Sequence, residues 1–149
     1  MAKIDYNAVF DAVTLALHSA FPDSKVFGGE VKQGLSNGDF IVLPMKPENA
    51  REMGLRFAKS IMFDVIYFPS FGECMRSECL EKADILGKVL ETVRTPDGDA
   101  IHCTEFSTEI SDDTLHCFAT YPFFTYSPAL GANDTMDSLN VKQEVKQNG

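Results

Sequence analysis

The chain has 149 residues, 44% of them hydrophobic and twelve of them Phe, with a formal net charge of −9. A chain of this length fits one domain that buries about two thirds of the surface its unfolded form exposes, and its aromatic content excludes global disorder. The acidity excludes the basic footprint of a nucleic-acid binder; a negative wall repels phosphate, so DNA would slide past it without adhering.

The first segment, MAKIDYNAVFDAVTLALHSAFP, carries Asp5, Asp11 and His18 where a signal peptide or membrane span would be continuously apolar. It reads as part of a soluble protein made in the cytoplasm. Asp5 suits an N-cap, and Tyr6, Val9, Phe10, Val13, Ala16, Leu17, Ala20 and Phe21 recur at three- and four-residue spacing. That pattern predicts an amphipathic, core-facing helix ended by Pro22. Its polar face has no cluster of Lys or Arg, which argues against a membrane surface.

Lys25 to Lys32 reads as a short strand bent at Gly28-Gly29, and Gly34 to Asp39 as a turn. The Asn37-Gly38 pair in that turn is a hairpin signal leading into a second strand, Phe40 to Pro44. The polar stretch Lys46 to Arg56, with Pro47, Asn49 and Gly54, reads as a mobile loop or a short helical turn. Phe57 to Phe68, dense in aromatic and β-branched residues, is the third strand.

Ser70 and Glu73 have capping-box spacing and open a second helix with an apolar stripe of Met75, Cys79, Ala83, Leu86, Leu90 and Val93. Glu78 with Lys82 and Asp84 with Lys88 form i,i+4 pairs on its wet face. Pro96-Asp97-Gly98 is a turn, and Ile101 to Ile110 with Leu115 to Tyr126 form a hairpin about Asp112-Asp113. Pro122 interrupts the last strand, which should bulge or lie at an edge from there on. After Pro128 the chain is polar and either frays or orders against a neighbouring subunit. The order α-β-β-β-α-β-β predicts an α+β fold, a mainly antiparallel sheet with both helices on one face. One domain spans residues 1–127, followed by a tail, 128–149. Phe10, Val13, Leu17, Phe63, Val65, Leu86 and Leu90 should share its core.

Little in the sequence points to chemistry. It has no nucleophile beside a base, no glycine-rich phosphate loop and no ligand quartet at metal spacing. Cys74 and Cys79 stand roughly 140° apart around a helix, which suits neither a disulfide nor a shared metal. Hairpin register about Asp112-Asp113 puts Cys117 about five residues, roughly 17 Å, from the position facing Cys103. The same register separates His102-Cys103 from His116-Cys117. The four thiols therefore read as buried and reduced, with no metal or cofactor. His102, His116 and Cys103 are the candidates an enzyme would use, but a strand histidine is more often a hydrogen-bonded sheet residue than a base.

EVKQGL (Glu30 to Leu35), FDVIYFP (Phe63 to Pro69) and TEISDDTLHCFATYPFF (Thr108 to Phe124) come in an order that resembles the small tail-terminator-like proteins of phages and prophages of Gram-positive bacteria. The resemblance runs from about Tyr6 to Tyr126. The chain departs from the family pattern at Ser36-Asn37-Gly38-Asp39, where a proline-containing stretch is expected, and at Pro122, where a chain-pairing residue is usual. The resemblance implies a virion structural protein of the tail and neck with no active site. Its subunits would form a ring, commonly a hexamer, at the head-proximal end of the tail tube. There it would stop tube polymerisation and present a surface for the head, so the partners are a second copy, the tail tube protein and the head-completion protein. Subunit contacts are expected from Lys46, Pro47, Met53, Leu55 and Arg56, where apolar points stand among charges. The other readings of the residues are a prophage-encoded binding module and a small enzyme using His102 or His116.

Overall fold

The structure, a computed structural model, describes residues 4–29, 35–52, 54–70, 72 and 74–126. Helix α1 (Tyr6–Ala20) starts at an extended Asp5, φ −134°, whose carboxylate accepts the Ala8 amide at 2.8 Å. That bond satisfies one of the donors every helix N-terminus leaves unpaired. Strands β1 (Val26–Gly28), β2 (Phe40–Arg51) and β3 (Arg56–Tyr67) follow, then α2 (Met75–Val89), β4 (Thr92–Arg94), β5 (Ala100–His102), β6 (Glu105–Ser111) and β7 (Thr114–Tyr126). Five strands make a mainly antiparallel sheet in the order β1-β2-β3-β7-β6, and β4 pairs with β5 separately. The expected order of elements is present. β4 is an added short strand, and the expected strand 101–110 divides at Cys103-Thr104 into β5 and β6.

The chain divides into two compact units. One comprises Met1–Glu48 and Ser60–Phe123 and contains the hydrophobic core; the other comprises Asn49–Lys59 and Phe124–Gly149. In the first unit, Val9, Ala12, Val13 and Leu17 of α1 and Cys79 and Leu86 of α2 pack with alternate residues of the sheet. Those residues are Phe40 and Val42, Ile61 to Tyr67 at every second position, and Leu115 to Phe123 at every second position. A period of two along each strand sends one set of side chains to the helices and the other set to the opposite face. The expected core residues Val13, Leu17, Phe63, Val65, Leu86 and Leu90 are all fully buried there, with Phe10 packed against them. Tyr121, also fully buried, donates its hydroxyl to the Leu90 carbonyl at 2.6 Å and so satisfies an acceptor at the end of α2.

Several sequence expectations need correction. β1 and β2 run parallel, Val26 opposite Phe40, so Asn37-Gly38 does not fold a hairpin between them. The turn is real, with Gly38 at φ 93°, but the Gly38 amide bonds the Phe68 carbonyl and ties the turn to the end of β3. The stretch Lys46 to Arg56 is neither loop nor helix for most of its length: β2 extends to Arg51 and β3 begins at Arg56. Pro44 is tolerated because β1 covers β2 only from Phe40 to Val42, leaving an open edge among the described residues where its missing N–H breaks no ladder bond. Helix α2 begins at Met75 after Cys74, which makes no side-chain cap bond, so Ser70 does not cap it; Glu73 lies outside the described residues. Instead the Ser70 amide donates to the Glu78 carboxylate, which also accepts the Tyr67 hydroxyl at 2.6 Å. Lys82 lies over the rings of Phe21 and Tyr67, so Glu78 and Lys82 face aromatic residues rather than forming a pair on the wet side. Val93, read as helical, belongs to β4.

The last hairpin follows the expected register, with Ile110 opposite Leu115 and Thr108 opposite Cys117. Asp112 and Asp113 turn with φ 53° and 62°, both in the left-handed region that a two-residue primed turn requires. β6 reaches only as far as Thr120. Pro122 therefore lies past its end, on the edge expected for a residue without an N–H.

Candidate functional site

The face of the sheet turned away from the helices carries a chain of polar side chains at hydrogen-bond distances. Alternation places Met62, Asp64 and Ile66 of β3 there, with His116, Phe118 and Thr120 of β7 beside them. His116 Nδ1 lies 3.0 Å from Asp64 Oδ2, and its Nε2 lies 3.0 Å from Thr114 Oγ1. Asp64 is buried, and the His116 ring lies against its carboxylate. The imidazole also stacks on Phe118, ring centroids 6.2 Å apart.

An Asp-His-Thr series at hydrogen-bond distances has the spacing of a nucleophile, base and orienting acid. The hydroxyl of Thr114, however, has another partner. Thr114 Oγ1 donates to the Ser111 carbonyl at 2.8 Å, closing the end of the β6–β7 hairpin. With that proton given to Ser111, the hydroxyl is held within the hairpin rather than offered to the imidazole as a nucleophile would be. The arrangement locks a hairpin end to β3. Sequence reading missed Asp64 and Thr114; the alternation in Phe63-Asp64-Val65 already placed Asp64 opposite the core side chains.

The other candidate groups lie apart from this one. His102 sits on β5 in the small sheet, its Nδ1 2.9 Å from Thr92 Oγ1. Cys103 donates its thiol to the Glu105 carbonyl, and burial raises its pKa above the ordinary value, so the protonated thiol is favoured. Cys79 is raised by burial and then by Glu78, while Cys117 is pushed up to about 12 by burial, then Asp64 and Cys79. Such thiols are poor nucleophiles, since the thiolate is the reactive form. The four cysteines are free, and not all are buried as expected: Cys74 is exposed and Cys103 half-buried. Among the described residues no group of three His, Cys, Asp or Glu is arranged to hold a metal ion, and no helix is long and apolar enough to cross a membrane.

The expected contact residues are distributed as follows. Lys46, with φ 46°, and Pro47 are exposed on β2 in the first unit. In the second unit Leu55 is 44% exposed, and Arg56 Nε lies 3.2 Å from Glu52 Oε1 without hydrogen-bond alignment. The Arg56 guanidinium stacks 3.8 Å over the ring of Phe124. Met53 lies outside the described residues. Phe124 and Tyr126, exposed at 48% and 67%, were read only as strand aromatics; their position at the end of β7, past the reach of β6, leaves them uncovered.

Two concavities open on the first unit. A groove of about 420 Å³ is lined mainly by Tyr6, Phe10, Pro44, Pro47 and Ile61. It is bounded by Gly28, where an added Cβ would lie 2.4 Å from the Phe10 ring, and the Tyr6 hydroxyl bridges to the Glu48 carbonyl beside it. A cleft of about 340 Å³ lies between the Asn37 turn, Phe68-Pro69 and the Asp112-Asp113 turn. Neither holds the convergent nucleophile, base and anion-binding donors that would mark a catalytic pocket.

The sequence matches the model of a family described as "Phage tail terminator protein" over residues 8–132. No curated protein matches the chain.

Proposed function

Because the chain belongs to the phage tail terminator family, with a structural role in the phage tail, we propose that it closes the head-proximal end of the tail tube as a homo-oligomeric ring, a hexamer. The family match across most of the chain carries this reading. In it the ring stops tube polymerisation and offers its other surface to the head-completion protein. The net charge of −9 fits a lumen through which DNA passes without adhering. Lys46, Pro47, Met53, Leu55 and Arg56 supply contacts between subunits, and the polar tail from 128 onward adds to them.

A closed ring requires a head-to-tail contact between two different patches on each subunit. An exposed apolar side chain beside a half-buried charged one, as at Leu55 and Arg56, suits such a contact better than a plain connection between strands. The test is native mass measurement of the full chain, alone and with purified tail tubes, followed by imaging of the tube ends. The expected result is a six-subunit species or rings seated on one end of each tube. A protein that stays monomeric with tubes present would refute the proposal.

A further inference from the structure

Resting on the ring proposed above, we infer which two surfaces meet: the β2–β3 hairpin tip of one copy docks on the helix-free face of the sheet in the next copy. The sign of the charge identifies the tip. A chain of net charge −9 repels its own copies, so a surface where the local sign reverses is favoured for contact with the acidic remainder of another copy. Asn49–Lys59 is such a place, holding Arg51, Arg56 and Lys59 against Glu52 alone. The same unit exposes Leu55, Phe124 and Tyr126, and the Arg56 guanidinium lies over the Phe124 ring. Arginine and aromatic side chains are the residue types that dominate binding energy at protein interfaces.

The receiving surface is selected by the same logic. The outward face of an antiparallel sheet ordinarily carries polar residues. Here alternation puts Ile41, Leu43, Met62, Ile66 and Phe118 on it, all half-buried, while the described helices cover only the other face. The β6–β7 register brings Glu105 and Glu109 to its margin, opposite Thr120 and His116, and both glutamates are exposed. An apolar floor with a carboxylate margin complements a tip of arginine, leucine and aromatic rings. Since tip and face differ, the contact is heterologous and propagates around a ring instead of stopping at a dimer.

The experiment is charge exchange in the full chain. R51E/R56E makes the tip acidic, and E105K/E109K makes the margin basic. Each variant alone should need about tenfold or more protein to form rings, because like charges then oppose. An equimolar mixture of the two should recover wild-type assembly, since an acidic tip meets a basic margin at every second contact and the original pair at the others. Circular dichroism establishes that each variant is folded. If the doubly changed tip fails to fold, Leu55→Asp tests the same contact and should also abolish rings. Rings that form at wild-type concentration in either charge variant or in Leu55→Asp, or a mixture of folded variants that fails to recover, would overturn this pairing and leave the terminator role standing. A wild-type chain that never forms rings, even on tubes, would sink both.

Discussion

Leu86 provides a quantitative test of the core, because it is fully buried on α2 and packs with residues of α1 and the sheet. Leu86→Ala removes three carbon atoms, worth about 2.4 kcal/mol at roughly 0.8 kcal/mol each. The void they leave adds a cavity cost, so the expected total is about 3–4 kcal/mol, inside the usual range for buried leucine. Leu80, on the same helix but 55% exposed, is the control; Leu80→Ala should cost under about 0.5 kcal/mol. Urea unfolding should be followed at concentrations where the protein is dissociated, so that assembly does not add to apparent stability. The midpoint should fall for Leu86→Ala with little change in slope. A loss under about 0.5 kcal/mol at Leu86, or equal losses at the two positions, would refute the placement of α2 on the sheet.

Two other outcomes follow from single features. Burial raises the Cys117 pKa from its ordinary 9.0 to about 12, so the thiol stabilises the fold fully below pH 9 and loses that contribution as pH rises through 12. Stability should fall with pH across that window by up to about 1.4 kcal/mol per pH unit, and Cys117→Ala should flatten the slope in alkaline melts; an unchanged slope would count against the burial. At the β6–β7 turn, replacing Asp112-Asp113 with Asn-Gly should stabilise the fold by about 1 kcal/mol, measured by denaturant midpoint, because both positions have positive φ. A loss of stability would mean the aspartates make contacts that outweigh their backbone cost.

Wherever the side-chain pattern was set by local periodicity, the sequence by itself determined the outcome. Helix α1, its Asp5 cap, the long strand β3, the β6–β7 register and the membership of the core all follow from spacing, because a helix or strand must turn its apolar side inward whatever it packs against. The order of elements and the resemblance carried by Glu30–Leu35, Phe63–Pro69 and Thr108–Phe124 were also legible, and the family match agrees with them. What periodicity cannot specify is which strand a strand will join. The parallel pairing of β1 with β2 was decided by contacts across the sheet: the Gly38 amide goes to the Phe68 carbonyl, a residue thirty positions away. The extension of β2 through Pro47 depended on where β1 happens to stop, and the start of α2 at Met75 on Glu78 being drawn to Tyr67 and Ser70. The surfaces proposed for assembly are of the same kind. Arg56 stacks on Phe124 and His116 meets Asp64 only after distant strands are laid side by side. Local sequence fixes which face a side chain points to; only the long-range hydrogen bonds of the sheet determine what it meets there.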